Sequence, residues 1–456
     1  MPLIRTVSGV RGIVGTDLDS AVVYRHARAF AALQPPGPLL VARDSRPHGR
    51  ELQAVVSRAF KDARRQVQVA GLVPTPTAQF LVPLKRLAGA VVLTASHNPI
   101  EYNGLKFIGA DGCFLDHSKL EILFARADQT AAPDKLSTRF SGGKDLIEGA
   151  GLHILNILDL SCIDTEAIMR RRFRVVVDAV NGAAYFALPA LLEALGCQVV
   201  RLNCTPDGTF PRGAEPLPGH LTDLCAAVVA HSAHIGMATD PDADRLALVD
   251  ENGVPLGEEL TQVLAVDGYL RRTGGRKPVV TNLSSSLLVD HVARKYGIEV
   301  QRSAVGEINV VNLMRSIGGE IGGEGNGGVI LAESHLGRDS LVGAALILDR
   351  LAQQTLPWSA IKAGLPTMEI VKDKVPLGDG DPEETLVGIA QQFSDAEQNT
   401  LDGLKLIWED RWIHIRRSNT EPVIRIIAEA PSSEVARDLV AQVRQVVSKP
   451  PDGIAR

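Results

Sequence analysis

One unit recurs along this chain, and it constrains the fold more than any other feature. An apolar strand-like run ends in a polar loop, a helix-like run follows, and a second short strand comes next. "LLVARDSR" (Leu39 to Arg46) leads into "GRELQAVVSRAFKDA" and then "VQVAGLV". "RVVVDAVNG" (Arg174 to Gly182) leads into "AAYFALPALLEALG" and then "CQVVRLN". "PVVTNLSSS" (Pro278 to Ser286) leads into "LLVDHVARKYG" and then "IEVQRSA". Each unit later reaches a Gly/Ala-rich strand that delivers a polar loop: "TASHNP", "TDPDADR" and "GGEGNGG". The alternation predicts α/β architecture, although any α/β chain shows some strand–helix repetition. Ligands of open α/β sheets gather at the carboxyl ends of strands. The expectation is three similar α/β domains with mixed sheets, each presenting one loop to a central cleft.

The end of the chain reads differently. "DGLKLIWEDRWIHIRR" alternates with period two across Glu409-Asp410, the pattern of a hairpin. "VIRIIAEA" is a further strand, and "SSEVARDLVAQVRQVV" has helical spacing behind two serines. This predicts a C-terminal α+β domain. The expected domains are 1–148, 149–250, 251–365 and 366–456, with a hinge around Gly364-Leu365-Pro366.

At 456 residues the chain is too long for one core. Its net charge of −5, with 22% charged residues, gives no electrostatic case for nucleic acid or an anionic membrane surface. Aromatic residues make up 4%, too few for a base-stacking platform. Apolar runs such as Ala344 to Leu348 fall far short of the roughly 20 residues of a membrane span. "MPLIRTVSGVRG" lacks the apolar region of a signal peptide. Cysteines 113, 162, 197, 204 and 225 form no CxxC pair, so reduced thiols in a cytoplasmic protein are expected.

The loops carry the chemistry. Ser96 follows a buried strand, where a hydroxyl can act as nucleophile or carrier of a covalent group. It can equally cap a turn. His97 and Asn98 can hydrogen-bond the loop or an anion, and Pro99 stiffens it. Asp240, Asp242 and Asp244 crowd three carboxylates at i, i+2 and i+4, which is costly unless a cation neutralises them. Oxygen ligands of this kind suit Mg²⁺; a solvated acidic turn is the plain alternative. An EF-hand would match Glu251 at loop position 12, but Arg245 replaces the required glycine and "LALVD" reads as a strand. In "GGEGNGG", Glu324 and Asn326 are good partners for sugar hydroxyls, and the glycines allow close approach. "RRSNTEPVIR" gathers Arg416, Ser418, Asn419, Thr420 and Arg425 into a candidate anion cradle or a charged hairpin end. Arg11 stands between glycines, where it could enter a cleft or lie on a surface turn.

With these motifs in this order, the chain resembles the α-D-phosphohexomutase family over essentially its whole length. "TASHNP" is similar to the family's phosphoserine loop, so the resemblance implies that Ser96 carries the phosphoryl group. "DPDADR" resembles the metal loop, implying that Asp240, Asp242, Asp244 and Ser96 hold one Mg²⁺. "GEGNGG" stands in the place of the sugar loop and "RRSNTEP" in that of the phosphate-binding loop. "YNGLKF" matches a stretch whose lysine, here Lys106, lies beside the reacting groups. The implied reaction interconverts hexose 6-phosphate and 1-phosphate through a phosphoserine enzyme, with a hexose bisphosphate as intermediate and activator. Arg245 and His97 would help stabilise the transferring group, and Lys106 with Arg11 would handle the proton.

The chain departs from the family pattern in two places. Asn326 and Gly328 stand where many relatives have Ser and His, and Arg417 where they have Pro. The sugar loop, with "VGEIN" before it and "HLGRDS" after it, looks most like the phosphoglucosamine mutase branch. The alternative is a phosphomannomutase/phosphoglucomutase. A non-catalytic sugar-phosphate-binding protein is a distant third, opposed by the intact Ser96, Asp triplet and Lys106. The expected partner is a small phosphosugar, with neither nucleic acid nor membrane, and the chain is expected as a monomer or homodimer.

Overall fold

A computed structural model describes residues 3–139, 144–145, 148–376, 382–417 and 423–447. Three sheets repeat one strand order. In the first, Tyr102–Gly109 lies antiparallel to Gly89–Leu93, which is parallel to Leu39–Arg43, which is parallel to Val67–Leu72. In the second the corresponding strands are Leu246–Val249, Ile235–Thr239, Arg174–Asp178 and Gln198–Leu202. In the third they are Gly328–Leu331, Ile321–Glu324, Val279–Asn282 and Val300–Ser303. The recurring sequence unit is therefore a recurring topology of mixed sheet. The first sheet is extended at one edge by Ile4–Thr6 and Gly9–Ile13, and at the other by Lys144–Asp145.

The helices form for local reasons that also bury them. Gly49–Asp62 places Leu52, Val55, Val56, Ala59 and Phe60 on one face, at helical spacing, against the first sheet. Ser340–Ala352 is apolar on all sides from Leu341 to Leu348 and almost wholly buried. Asp339 caps it by accepting hydrogen bonds from the Leu341 and Val342 amides at 2.8 and 3.2 Å. Its one buried carboxylate, Asp349, accepts from Arg272 at 2.7 Å. This helix packs on Glu258–Thr273 and also on Thr165–Arg171 and Ala184–Ala194. A single hydrophobic core consequently runs from Ile154 to Ile361 through the second and third units, while the first unit has its own. Among the described residues no helix is long and apolar enough to cross a membrane. The five cysteines are free; Cys204 and Cys225 are only partly buried.

The C-terminal sheet is antiparallel throughout, in the order Glu369–Pro376, Val423–Ala430, Trp412–Arg417, Leu404–Ile407, Glu397–Asn399. The expected hairpin closes where Ile407 pairs with Trp412. Helix Ser433–Val447 packs against this sheet, with a separate core around Ile413, Ile426 and Leu439. The sequence reading did not include its outer strands Glu369–Pro376 and Glu397–Asn399. This domain touches the third unit through polar contacts. Lys405 Nζ donates to the Leu283 carbonyl at 2.6 Å, the Val305 amide donates to Asp402 at 2.9 Å, and the Leu287 amide donates to Glu429 at 2.8 Å.

Candidate active site

The fully buried strand Gly89–Leu93 ends where Thr94 leaves the sheet. Ser96 then adopts a left-handed backbone with φ of +50°. Its hydroxyl donates to Asp240 Oδ2 at 3.1 Å, across the gap between the first and second units. Asp240 is the first residue after strand Ile235–Thr239, and Ala243, with φ of +59°, turns the chain back into Leu246–Val249. Asp240, Asp242 and Asp244 are all buried, with one oxygen from each lying within 4.8 Å of the others.

These carboxylates are partly neutralised by the protein. Lys106, on the strand paired with Gly89–Leu93, donates to Asp242 Oδ2 at 2.6 Å and Asp244 Oδ2 at 2.9 Å. Arg338 Nη2 donates to Asp244 Oδ2 at 2.8 Å. Two oxygens remain: Asp242 Oδ1 and Asp244 Oδ1 are buried and accept no hydrogen bond. Orphaned buried carboxylate oxygens are expensive. Two of them beside Asp240 and a serine hydroxyl form a donor set that fits a small hard cation.

The charges settle protonation states. Burial, with Arg245 and Arg11 nearby, pushes His97 down to about 2, so its ring is neutral. Arg245 donates to His97 Nδ1 at 3.2 Å, and a guanidinium can only donate, so the proton of His97 is on Nε2. Burial pushes the Lys106 ammonium down, but Asp242 and Asp244 more than offset it and hold it above the ordinary lysine value. Lys106 is therefore held as an ammonium against these two carboxylates. Burial and the neighbouring carboxylates raise Asp240 well above the usual range, whereas Arg338, Lys106 and Arg245 outweigh burial at Asp244 and lower it.

Arg11, Ser96, His97, Lys106, Arg245, Glu324, Asn326, Arg416 and Arg425 all line one cavity of about 520 Å³. Arg11 enters it from Gly9–Ile13 and donates to Asn98 Oδ1 at 3.0 Å. Ser418, Asn419 and Thr420 lie outside the described residues. Arg416 and Arg425 are directly opposite each other in the antiparallel ladder. Like charges in that position repel, and Arg416 Nε is buried without a partner, so the pair fits an anion.

Glu324 is more engaged than a free sugar ligand would be. Its Oε1 accepts from Asn282 at 2.8 Å and the Gly306 amide at 3.1 Å; its Oε2 accepts from Arg338 at 2.8 Å and Asn326 at 3.4 Å. A buried carboxylate at a strand end needs such partners. The sequence reading missed Arg338 and Glu307, which also line the cavity. Arg338 bridges Asp244, Glu324 and Glu307, with Glu307 Oε2 at 3.1 Å. The signal lay in "GRDS", where the arginine precedes a helix-capping Asp-Ser.

The glycines of the sugar loop earn their place by close approach. Gly327, with φ of +87°, would carry a Cβ 2.5 Å from the Leu246 carbonyl, so the sugar loop rests on the end of the metal loop. A Cβ at Gly325 would meet Glu259 Oε2 at 1.9 Å. Burial pushes Glu259 up to about 8 from an ordinary 4.5. The stability tied to its proton is thus fully present below pH 4.5 and lost as the pH rises to about 8. Glu259→Gln needs no such proton, so its melting temperature should exceed that of the wild type by more at about pH 9 than at about pH 5. An equal difference at both values would show that the native carboxyl is not held protonated.

Comparison with known proteins follows the same division. The family descriptions "Phosphoglucomutase/phosphomannomutase, alpha/beta/alpha domain I", "domain II" and "domain III" match residues 3–133, 153–253 and 257–368, and the C-terminal domain description matches 374–446. A protein of Methanopyrus kandleri named "Probable phosphoglucosamine mutase" is 34% identical over 97% of each chain. A "Phosphoglucomutase/phosphomannomutase" of Thermococcus kodakarensis is 35% identical over 94% of this chain and 95% of its own. A "Phosphoglucosamine/phosphogalactosamine mutase" of Sulfurisphaera tokodaii is 31% identical over 96% and 98%. A crystal structure of a phosphoglucomutase/phosphomannomutase family protein from Burkholderia thailandensis superposes with a TM-score of 0.85, at 28% identity, over 99% of this chain and 98% of that one.

Proposed function

This chain belongs to the phosphoglucomutase/phosphomannomutase family of phosphohexomutases, and we propose that it interconverts glucosamine 6-phosphate and glucosamine 1-phosphate through a phosphoryl group carried on Ser96. The observation that carries this reading is the hydrogen bond to Asp240 from the hydroxyl of Ser96, which lines the same cavity as the Arg416–Arg425 pair.

Phosphorylated Ser96 gives its phosphoryl group to a sugar hydroxyl, breaking the serine ester and forming a hexose bisphosphate, while the proton of that hydroxyl is in net terms passed to Ser96 Oγ. The sugar turns over, and Ser96 takes back the other phosphoryl group. A hexose bisphosphate also serves as activator, loading the serine. Asp240, Asp242, Asp244 and Ser96 would hold one Mg²⁺ per chain, which when bound supplies charge stabilisation to the transferring group. Lys106, held as an ammonium, faces the oxygen that gains or loses the phosphoryl group. Arg245 and neutral His97 orient it, and Arg11 steadies Asn98 beside it. Arg416 and Arg425, with Ser418, Asn419 and Thr420, grip the phosphate that does not react. Glu324 and Asn326 face the sugar ring. The free thiols support a cytoplasmic setting.

The choice of glucosamine is supported by the 34% identity to a "Probable phosphoglucosamine mutase" over 97% of each chain, with Glu324 and Asn326 lining the cavity where the sugar would lie. The 35% identity to a phosphoglucomutase/phosphomannomutase supports mannose or glucose phosphates as the second reading. Side-by-side kcat/KM for glucosamine, mannose and glucose phosphates, with a bisphosphate activator, tests it. A preference for mannose or glucose would select the second reading.

Arg416→Ala should lower kcat/KM for every phosphosugar by a similar factor, about 10- to 100-fold, because a charge-assisted hydrogen bond is worth roughly 1.5–3 kcal/mol. Strong discrimination between sugars in this variant would make the loop a sugar reader instead.

A further inference from the structure

We infer that Arg46 is a positioning residue for phosphoryl transfer, holding the Ser96 loop by its backbone; this rests on the reading of Ser96 as phosphoryl carrier. The Arg46 side chain is fully buried. Its Nη2 donates to the carbonyls of Ser96 and Asn98, each at 2.7 Å. Its Nη1 donates to the carbonyls of Tyr102, at 2.9 Å, and Pro99. Its Nε donates to Asp44 Oδ2 at 3.0 Å. A guanidinium has five N–H donors, and these contacts take them all, leaving none for a phosphate. An ion pair with Asp44 alone would use only Nε. The other four contacts converge on one short loop.

The same carboxylate grips the loop from its other side. Thr94 donates to Asp44 Oδ2 at 2.6 Å, and its hydroxyl oxygen accepts from the Ser96 amide at 2.9 Å. Ser96 is thus clamped at both its N–H and its C=O. Its left-handed backbone is disfavoured for an L-residue, and the clamp holds it there. That conformation sends the hydroxyl to Asp240. The second unit closes the clamp from outside: the Phe210 ring lies 4.9 Å from the guanidinium, and Gly208 presses so close that a Cβ there would meet the Ser45 carbonyl at 2.4 Å.

Lysine has three donors on a point charge and cannot reproduce this fork. In Arg46→Lys, kcat and the rate at which Ser96 takes up phosphate from glucose 1,6-bisphosphate, followed by intact mass after rapid quenching, should both fall about 100-fold, the scale of an ångström misplacement. KM for glucosamine 6-phosphate should stay within about 3-fold, since the sugar and anion sites are untouched. Thr94→Val, which keeps the shape but frees the Ser96 amide, should show the same split. A folded Arg46→Lys enzyme with kcat within about 3-fold of wild type, or with KM rising as steeply as kcat falls, would overturn the inference. If Arg46→Lys does not fold, Thr94→Val decides: loss in kcat alone supports the clamp, and near-wild-type rates defeat it. Ser96→Ala measured in parallel separates the two readings. If it turns over normally, the carrier role has failed and the inference with it; if it is inactive while Arg46→Lys is fully active, only the inference falls.

Discussion

Replacing Ser96 with alanine is expected to lower turnover by on the order of 10⁴-fold or more, with the fold and the affinity for phosphosugar kept. On the proposed mechanism, removing one member of a covalent relay costs nearly as much as removing the relay. The substitution deletes the hydroxyl's contacts with Asp240 Oδ2 at 3.1 Å and His97 Nδ1 at 3.3 Å, and leaves the backbone contacts of the loop in place. Intact mass should show wild-type protein heavier by one phosphoryl group after exposure to a hexose bisphosphate, and the variant unchanged. A Ser96→Ala enzyme working near the wild-type rate would defeat the mechanism.

Asp242→Ala should lower kcat at least about 100-fold, since charge stabilisation by a metal is worth several kcal/mol and each 1.4 kcal/mol is tenfold. Metal content measured on the purified variant should fall in step. The fold should survive, because Lys106 keeps Asp244 as a partner at 2.9 Å and is not left as a lone buried charge. Normal activity in the variant with a chelator present would remove the metal from the account.

Much of this was legible in the sequence because strand, loop and helix signals are local. The three units and the hairpin around Glu409-Asp410 needed only period-two and helical spacing, whereas residue type alone left the TASHNP loop open between a turn and a nucleophile, and the order of the motifs, through the family resemblance, supplied the roles expected of it and of DPDADR. What remained hidden depends on contacts between distant segments. Arg338 looks like any arginine before a helix cap; only the fold brings it to Asp244, Glu324 and Glu307. Arg46 sits in the "RDSR" end of a strand, and nothing in that string says that its guanidinium reaches Ser96 and Tyr102. Lys106 was named through the resemblance and lines the cavity, but its charge state was not legible, since two carboxylates more than a hundred residues away hold it as an ammonium. The outer strands of the C-terminal sheet are short or polar, and edge strands carry weak patterns.

The continuous core from Ile154 to Ile361 has a consequence for how the molecule comes apart. Cooperative unfolding follows shared apolar packing, so the second and third units should melt as one block, the first as another, and the C-terminal domain by itself. With a core of its own and polar contacts to its neighbour, the C-terminal domain should open first. On gentle warming, calorimetry should then show a small early transition, with proteolytic cleavage entering near Gly364-Leu365-Pro366. Arg416 and Arg425 would leave the cavity while the Ser96 and Asp240 loops stayed folded, so the enzyme would lose its grip on phosphate before it lost most of its structure.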